Sequence, residues 1–427
     1  MYLLYTALLA LALLLTLPYW IVQMLRARKY RAGLGERLGK VPDRLRRTER
    51  GQPTIWFHAV SVGEVLAIGN LISQLEQRYP GARIVVSTTT DTGQRLARER
   101  FGASNVFYFP VDFPFAIRPY LGHLRPTIVV VAETEFWPNF LRLTKESGAK
   151  LAIVNSRISD RSWPGYRRFR RLLRRVLASI DLFLAQTEED RSRLVDIGAP
   201  ADRVQVSGNL KFDVTPPLPP AIVQSLRAAF EKTGAGPVVV AGSTMEGEES
   251  LLLRTFEIVR GSKPRAVLIL APRHPQRWEA VTELVRSLGL PCWRRSLWSG
   301  EDLGGGVLVL DTIGELAGVY ALGQIAFVGG SLVEHGGHNI LEAAQYGIPV
   351  LVGPHYENFR EMVNQFRAAD AVRVVGPAEL PLCFVDLLSD EQERSAIGQR
   401  ALNALRSQQG ATDRTLNALD ELLNRSA

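Results

Sequence analysis

Cysteine is almost absent: Cys292 and Cys383 stand far apart in a chain of 427 residues and in no metal-ligand spacing. That excludes a disulfide framework and points to a reducing compartment. The six histidines form no HExxH, and no DxD pair offers a divalent metal a seat against a diphosphate. Charge is missing altogether from Met1 to Leu25, "MYLLYTALLALALLLTLPYWIVQML", and "RARKYR" begins directly after it. A helix of that length reaches across a bilayer core of ~30 Å. A signal peptide would carry basic residues before the run and a small-residue cleavage site after it, and both are lacking. The run therefore reads as a retained spanning anchor, with a helix lying flat on the membrane as the other reading. Because flanking basic residues stay on the cytoplasmic side, the body is expected to face the cytoplasm.

What the chain has in excess is arginine and lysine, 51 against 43 acidic residues, a formal charge of +8. The excess gathers between Arg26 and Arg50 and again in "DRSWPGYRRFRRLLRRVL". A helix there puts Arg167, Arg168, Arg171, Arg174 and Arg175 on one face and Tyr166, Phe169, Leu172, Leu173, Val176 and Leu177 on the other. Such a face is either a solvated cover over a core stripe or a docking face for anionic membrane lipid or an acidic lipid substrate. Without a stacking module for bases, nucleic acid is not an expected partner.

Short β-branched runs followed by helical patterns recur at 54–60, 82–89, 105–110, 127–133, 150–156, 181–187 and 203–209, and again at 237–243, 265–272, 306–311, 324–330 and 348–353. Strands alternating with helices predict parallel sheets covered on both faces. "DVTPPLPP" interrupts them, since its prolines neither continue a helix nor pair inside a sheet. The expected architecture is α/β: an anchor over 1–25, a doubly wound domain over 26–213, a linker over 214–235, a second doubly wound domain over 236–400 and a C-terminal helix over 401–427. Two such domains side by side make a cleft, and ligands bind beyond the carboxyl ends of the strands.

That rule singles out a few side chains. Glu64, directly after Gly63 at the end of a strand, is either an ordinary first-turn carboxylate favoured by the helix dipole or a base for an attacking hydroxyl. Glu133 and Glu135 follow a buried strand, and Lys211 stands at the domain junction, as a salt-bridge cation or as compensation for charge on a substrate. Arg273 and His274 end a strand, and the arginine fork suits phosphate. Gly314, in "DTIGE", marks a plain turn or a close backbone approach. Asn339 and Glu342 have the spacing of a capping box, Asn-x-x-Glu, while Gly336 and Gly337 bare the approach to that helix end, where N–H groups favour an anion. Capping and ligand binding are evenly matched there.

"FHAVSVGE", "AETEFWPN", "GNLKFD", "APRHP", "DTIGEL" and "FVGGSLVEHGGHNILEAAQYGIPVLVGPH" run in this order behind the apolar segment. Together they resemble the 3-deoxy-D-manno-octulosonic acid (Kdo) transferases, from the anchor to at least Asn358. The resemblance implies a GT-B glycosyltransferase, two Rossmann-like domains facing a cleft, that moves Kdo from CMP-Kdo to the lipid A precursor on the cytoplasmic face of a bacterial inner membrane. It implies Glu64 as general base, Glu133 and Lys211 as stabilisers of the transition state, and no metal or other cofactor. CMP is then expected on Arg273, His274, Ile313, Gly314, Glu315, Asn339, Ile340, Leu341 and Glu342. A sugar-nucleotide epimerase of the same two-domain build, and a tethered nucleotide-binding module without catalysis, are the alternatives.

Overall fold

Ile128–Ala132 and Thr54–His58 are buried at every position, a pattern that only strands covered on both faces permit. The computed structural model describes residues 1–26, 32–45, 52–213 and 220–424, with side chains of the first helix up to Pro18 and at Trp20. The basic run after Arg26 and most of the proline-rich stretch expected as a linker lie outside these residues. Two compact units emerge, Met1–Asp213 with Gln409–Ala427, and Val214–Gln408.

The first unit holds a seven-stranded parallel sheet built from β1 (Thr54–His58), β2 (Arg83–Thr88), β3 (Val106–Tyr108), β4 (Ile128–Ala132), β5 (Lys150–Ser156), β6 (Leu182–Ala185) and β7 (Val204–Val206), in the order β3-β2-β1-β4-β5-β6-β7. The second holds β8 (Val238–Thr244), β9 (Val267–Pro272), β10 (Cys292–Arg294), β11 (Val307–Val309), β12 (Ile325–Val328), β13 (Val350–Val352) and β14 (Val372–Val374), ordered β10-β11-β9-β8-β12-β13-β14. The order reverses between β1 and β4 and between β8 and β12, so the loops after these four strands are where such sheets place ligands. Alternation within β1 supplies both faces of the first sheet. Trp56 packs with Phe107, Tyr120 and Phe140, while Ile55 and Phe57 join Ile68 and Leu71 on the other side.

Several boundaries differ from the sequence reading. Residues 214–235 are not all linker: Ala221–Thr233 is a helix with Ile222, Val223 and Leu226 buried. The C-terminal segment is two helices, Glu391–Gln408 and Ala411–Asn424, broken where Gly410 takes a φ of 87°. The last helix belongs to the first unit, where Arg414 Nε donates to the Ser207 carbonyl at 2.7 Å and Tyr79 donates to Asp420 at 2.5 Å. The arginine-rich stretch is also two helices, Trp163–Arg168 and Arg170–Leu177, so its apolar face divides. Val176 and Leu177 are buried, whereas Phe169 and Leu172 face outward with the arginines.

The uncharged N-terminal run forms the helix Tyr2–Arg26. A spanning anchor is not supported: among the described residues no helix is long and apolar enough to cross a membrane. Its first turns are instead fastened to the first unit, Tyr5 donating to Asp112 at 2.9 Å and Thr6 Oγ1 accepting from Asn139 at 3.0 Å. Hydrocarbon offers no such polar partners.

Candidate active site

In the first unit, β1 runs into Ser61, which caps the helix Val62–Arg78. The Ser61 hydroxyl accepts from the Glu64 amide at 3.5 Å and donates to Glu64 Oε1 at 2.9 Å, while Glu64 Oε2 accepts from the Val60 amide at 2.8 Å. Glu64 thus closes the start of the helix in the manner of a capping box, with its backbone bond to Val60 rather than to the N-cap residue. It is also buried, only 7% exposed. Burial pushes its pKa up to about 7; the charges of Glu133 and Glu135 add to this, and the Val60 and Ser61 hydrogen bonds oppose it. The start of the helix thus holds a carboxylate whose affinity for protons lies near neutrality, a property a general base needs.

Glu133, the first residue after β4, takes a φ of 58°, in the left-handed region that costs a non-glycine residue about 1 kcal/mol or more. Its amide donates to the Val154 carbonyl at 2.9 Å and its Oε1 accepts from Lys211 Nζ at 2.7 Å. Lys211 sits in the turn Leu210–Phe212, where the Asn209 side chain accepts from the Lys211 amide and buried Asn155 accepts from the Leu210 amide, each at 3.0 Å. Glu135, two residues on, is pushed up by burial, with the Glu133 charge adding. Glu64, Glu133 and Lys211 are thus brought to one place, a poised carboxylate beside an ion pair. On the charge-compensating role expected for Lys211, Lys211→Met should lower turnover by ~10² or more, read by single-turnover kinetics.

In the second unit, Arg273 and His274 stand exposed after β9, the Arg273 amide donating to the Thr244 carbonyl at 2.9 Å. After β11, Ile313 is 82% exposed, and Gly314 takes a φ of 87° with nothing within 4 Å of where a Cβ would stand. Glu315 is held by Arg295 at 2.8 Å and by the Thr312 hydroxyl.

The turn after β12 departs from the sequence reading in two ways. Gly336 and Gly337 do not simply clear a ligand's path: with φ of 82° and 75° they admit the chain around Tyr356 and Asn358, and a Cβ on Gly336 would lie 2.4 Å from Asn358 Nδ2. Nor do Asn339 and Glu342 form a capping box. Asn339 Oδ1 accepts from the Leu341 amide at 3.1 Å, two residues on, and the helix Leu341–Ala344 is a single turn. So short a helix adds little dipole, and positive potential comes from side chains instead. Glu342 is pushed up by burial, with Arg273 opposing; His338 is pushed down to about 4 by burial, then by Arg273, His274 and His335. Arg273 therefore lies near both the buried His338 and Glu342, a cation suited to a phosphate with a carboxylate near it.

Sequence reasoning missed Asn155, His338 and Glu248. Glu248 is fully buried and gathers the amides of Met245, Gly330, Ser331 and Leu332 at 2.7 to 2.9 Å. Two adjacent carboxylates one turn past a strand of the switch point, Glu248 and Glu249, were the available signal.

Residues 32–214 match the profile of the family described as 3-deoxy-D-manno-octulosonic-acid transferase (kdotransferase). The 3-deoxy-D-manno-octulosonic acid transferase of Haemophilus influenzae is 32% identical over 426 residues, 99% of each chain. That of Bordetella pertussis is 37% identical over 386 residues, 86% of this chain and 87% of its own. Among solved structures, a putative UDP-N-acetylglucosamine 2-epimerase from Listeria monocytogenes superposes with a TM-score of 0.55 over 88% of this chain and 98% of its own. At 16% identity that likeness shows the two-unit fold alone and does not favour the epimerase alternative. The chain, matched over nearly its full length by the first of these relatives, belongs to the 3-deoxy-D-manno-octulosonic acid transferase family.

Proposed function

We propose that the protein transfers Kdo from CMP-Kdo to a hydroxyl of the lipid A precursor, in one displacement with inversion, as a step of lipopolysaccharide synthesis. The observation that carries the reading is the buried Glu64, raised toward neutrality beside the Glu133–Lys211 ion pair. Glu64 takes the proton of the acceptor hydroxyl as it attacks the anomeric carbon. Lys211 and Glu133 steady the charge that develops there. The CMP leaving group is assigned to Arg273, His274, residues Ile313 to Glu315 and residues Asn339 to Glu342, with Glu342 on the ribose. Its single phosphate is neutralised by arginine and amides, so the reading needs no metal.

The acceptor is an acidic lipid, and two features of the first unit suit it. Leu3, Leu4, Leu8, Leu11, Leu14 and Leu15 face outward from the N-terminal helix, and the arginines of 167–175 are exposed beside Phe169 and Leu172. We place the enzyme at the cytoplasmic face of the inner membrane through these surfaces. Reversing the charge of Arg168, Arg171 and Arg175 together should raise the acceptor KM about tenfold or more at unchanged donor KM. A loss of membrane sedimentation alone would assign the arginines to lipid rather than to acceptor.

The function itself is tested by mass spectrometry of a tetraacylated lipid A precursor incubated with CMP-Kdo and the protein. Additions of Kdo mass are expected; donor consumption with no addition to the lipid would overturn the assignment.

A further inference from the structure

We propose that the N-terminal helix is a positioning element of the catalytic centre, in which Tyr5 and Thr6 hold the loop that carries Glu133 and Glu135. The inference rests on the reading that this loop serves the transfer.

The loop spans the five residues from Glu133 to Trp137, between the end of β4 and the helix Pro138–Glu146. At its first residue it is pinned by the left-handed Glu133 and by Lys211. At its other end the helix has no cap of its own, because Trp137 at the N-cap offers no acceptor. A distant residue does the capping: Asp112, 3% exposed, accepts from the Asn139 amide at 3.1 Å and from the Phe140 amide at 2.7 Å. The N-terminal helix completes this arrangement. Tyr5 donates to the same Asp112 carboxylate at 2.9 Å, and fully buried Asn139 donates to Thr6 Oγ1 at 3.0 Å and to the Asp112 carbonyl at 2.8 Å. The Arg142 guanidinium, on the capped helix, lies 4.8 Å over the Tyr2 ring. Met1, Tyr2, Phe136 and Trp137 pack against one hydrophobic cluster.

A tether to a membrane needs none of these contacts. A buried carboxylate and a buried amide whose hydrogen bonds reach into the helix do need it, since each loses a partner when the helix leaves. The loop then keeps its Glu133 end and slackens at its Trp137 end, and Glu135 drifts from Glu64. Small displacements of this kind cost turnover rather than donor binding. The outward leucines and the inward Tyr5 and Thr6 thus have separable tasks.

The test uses the full-length enzyme in detergent with saturating CMP-Kdo and tetraacylated acceptor, so that membrane attachment does not enter. Tyr5→Phe and Thr6→Val should each lower kcat about tenfold with donor KM within about twofold. The acidic limb of their pH profiles should move to lower pH, because Glu64 is raised partly by the charge of Glu135. Thr6→Ser, which keeps the accepting hydroxyl, should retain wild-type kcat. Leu8→Ser with Leu11→Ser should change membrane sedimentation and leave kcat in detergent intact. Wild-type kcat and pH profile in both Tyr5→Phe and Thr6→Val, or equal losses in Thr6→Ser and Thr6→Val, would overturn the proposal. Should Tyr5→Phe fail to fold, the Thr6 pair decides alone. Glu64→Gln, run alongside, separates the two readings: full turnover there defeats the assignment of the base, while the kcat comparison at Thr6 still stands.

Discussion

Glu64→Gln is expected to lower turnover by ~10² to 10⁴ while CMP binding stays within about twofold of wild type. The substitution keeps the size of the side chain and an oxygen to accept from Val60 or Ser61, so the start of the helix Val62–Arg78 is retained. What it removes is the proton acceptor. In the wild type the rate should climb with pH through about 7, where the raised Glu64 ionises, rather than near 4.5. The same shift gives a second readout. A carboxyl whose folded pKa lies above its unfolded value gives the folded state the greater hold on protons, so the stability it contributes is present below the unfolded value and lost as pH rises through the folded one. Thermal melts of wild type should therefore fall relative to Glu64→Gln between pH 4.5 and about 7. A variant with wild-type kcat at every pH would remove Glu64 from the mechanism.

Glu248→Gln should act on the donor instead. One carboxylate binds four backbone amides, from the loop after β8 and from Gly330, Ser331 and Leu332 after β12. Glutamine has one accepting oxygen, and its NH₂ group would confront N–H donors, leaving amides buried without partners. Each unsatisfied donor costs about 1–3 kcal/mol. For one or two of them the melting temperature should drop by on the order of 10 °C. The turn they hold leads directly into His335 to Glu342, so donor KM should rise ~10- to 100-fold, with kcat at saturating CMP-Kdo much less affected. An unchanged melting temperature together with an unchanged donor KM would show that the clamp is dispensable.

How far the sequence alone reaches is clearest at the strands. Runs such as "TIVVVAE" announce themselves because burial on both faces demands unbroken β-branched residues. Cys292–Arg294 and Val372–Val374 do not, being three-residue edge strands that are only partly buried and carry arginine. The same division runs through the candidate site. Glu64 and Lys211 are found by looking just past the carboxyl end of a strand. Glu133 can be placed but its left-handed backbone cannot be foreseen, because glycine, not glutamate, is the residue that signals such a turn. At Gly336 and Gly337 the glycine signal can be read, but not that the closest neighbours come from the chain near Asn358. Tyr5 and Thr6 look like ordinary members of an apolar helix; only their partners Asp112 and Asn139, more than a hundred residues away, distinguish them.

The return of the helix Ala411–Asn424 to the first unit bears on how the protein is made. Leu416 and Leu419 complete an apolar cluster with Ile68, Leu71 and Val86, residues translated hundreds of codons earlier. A nascent chain must therefore carry an open apolar groove past the synthesis of the whole second unit, where hydrophobic surface invites aggregation. A premature stop at Gln408 would leave every proposed catalytic residue in place and yet release a chain that chaperones and proteases treat as unfinished.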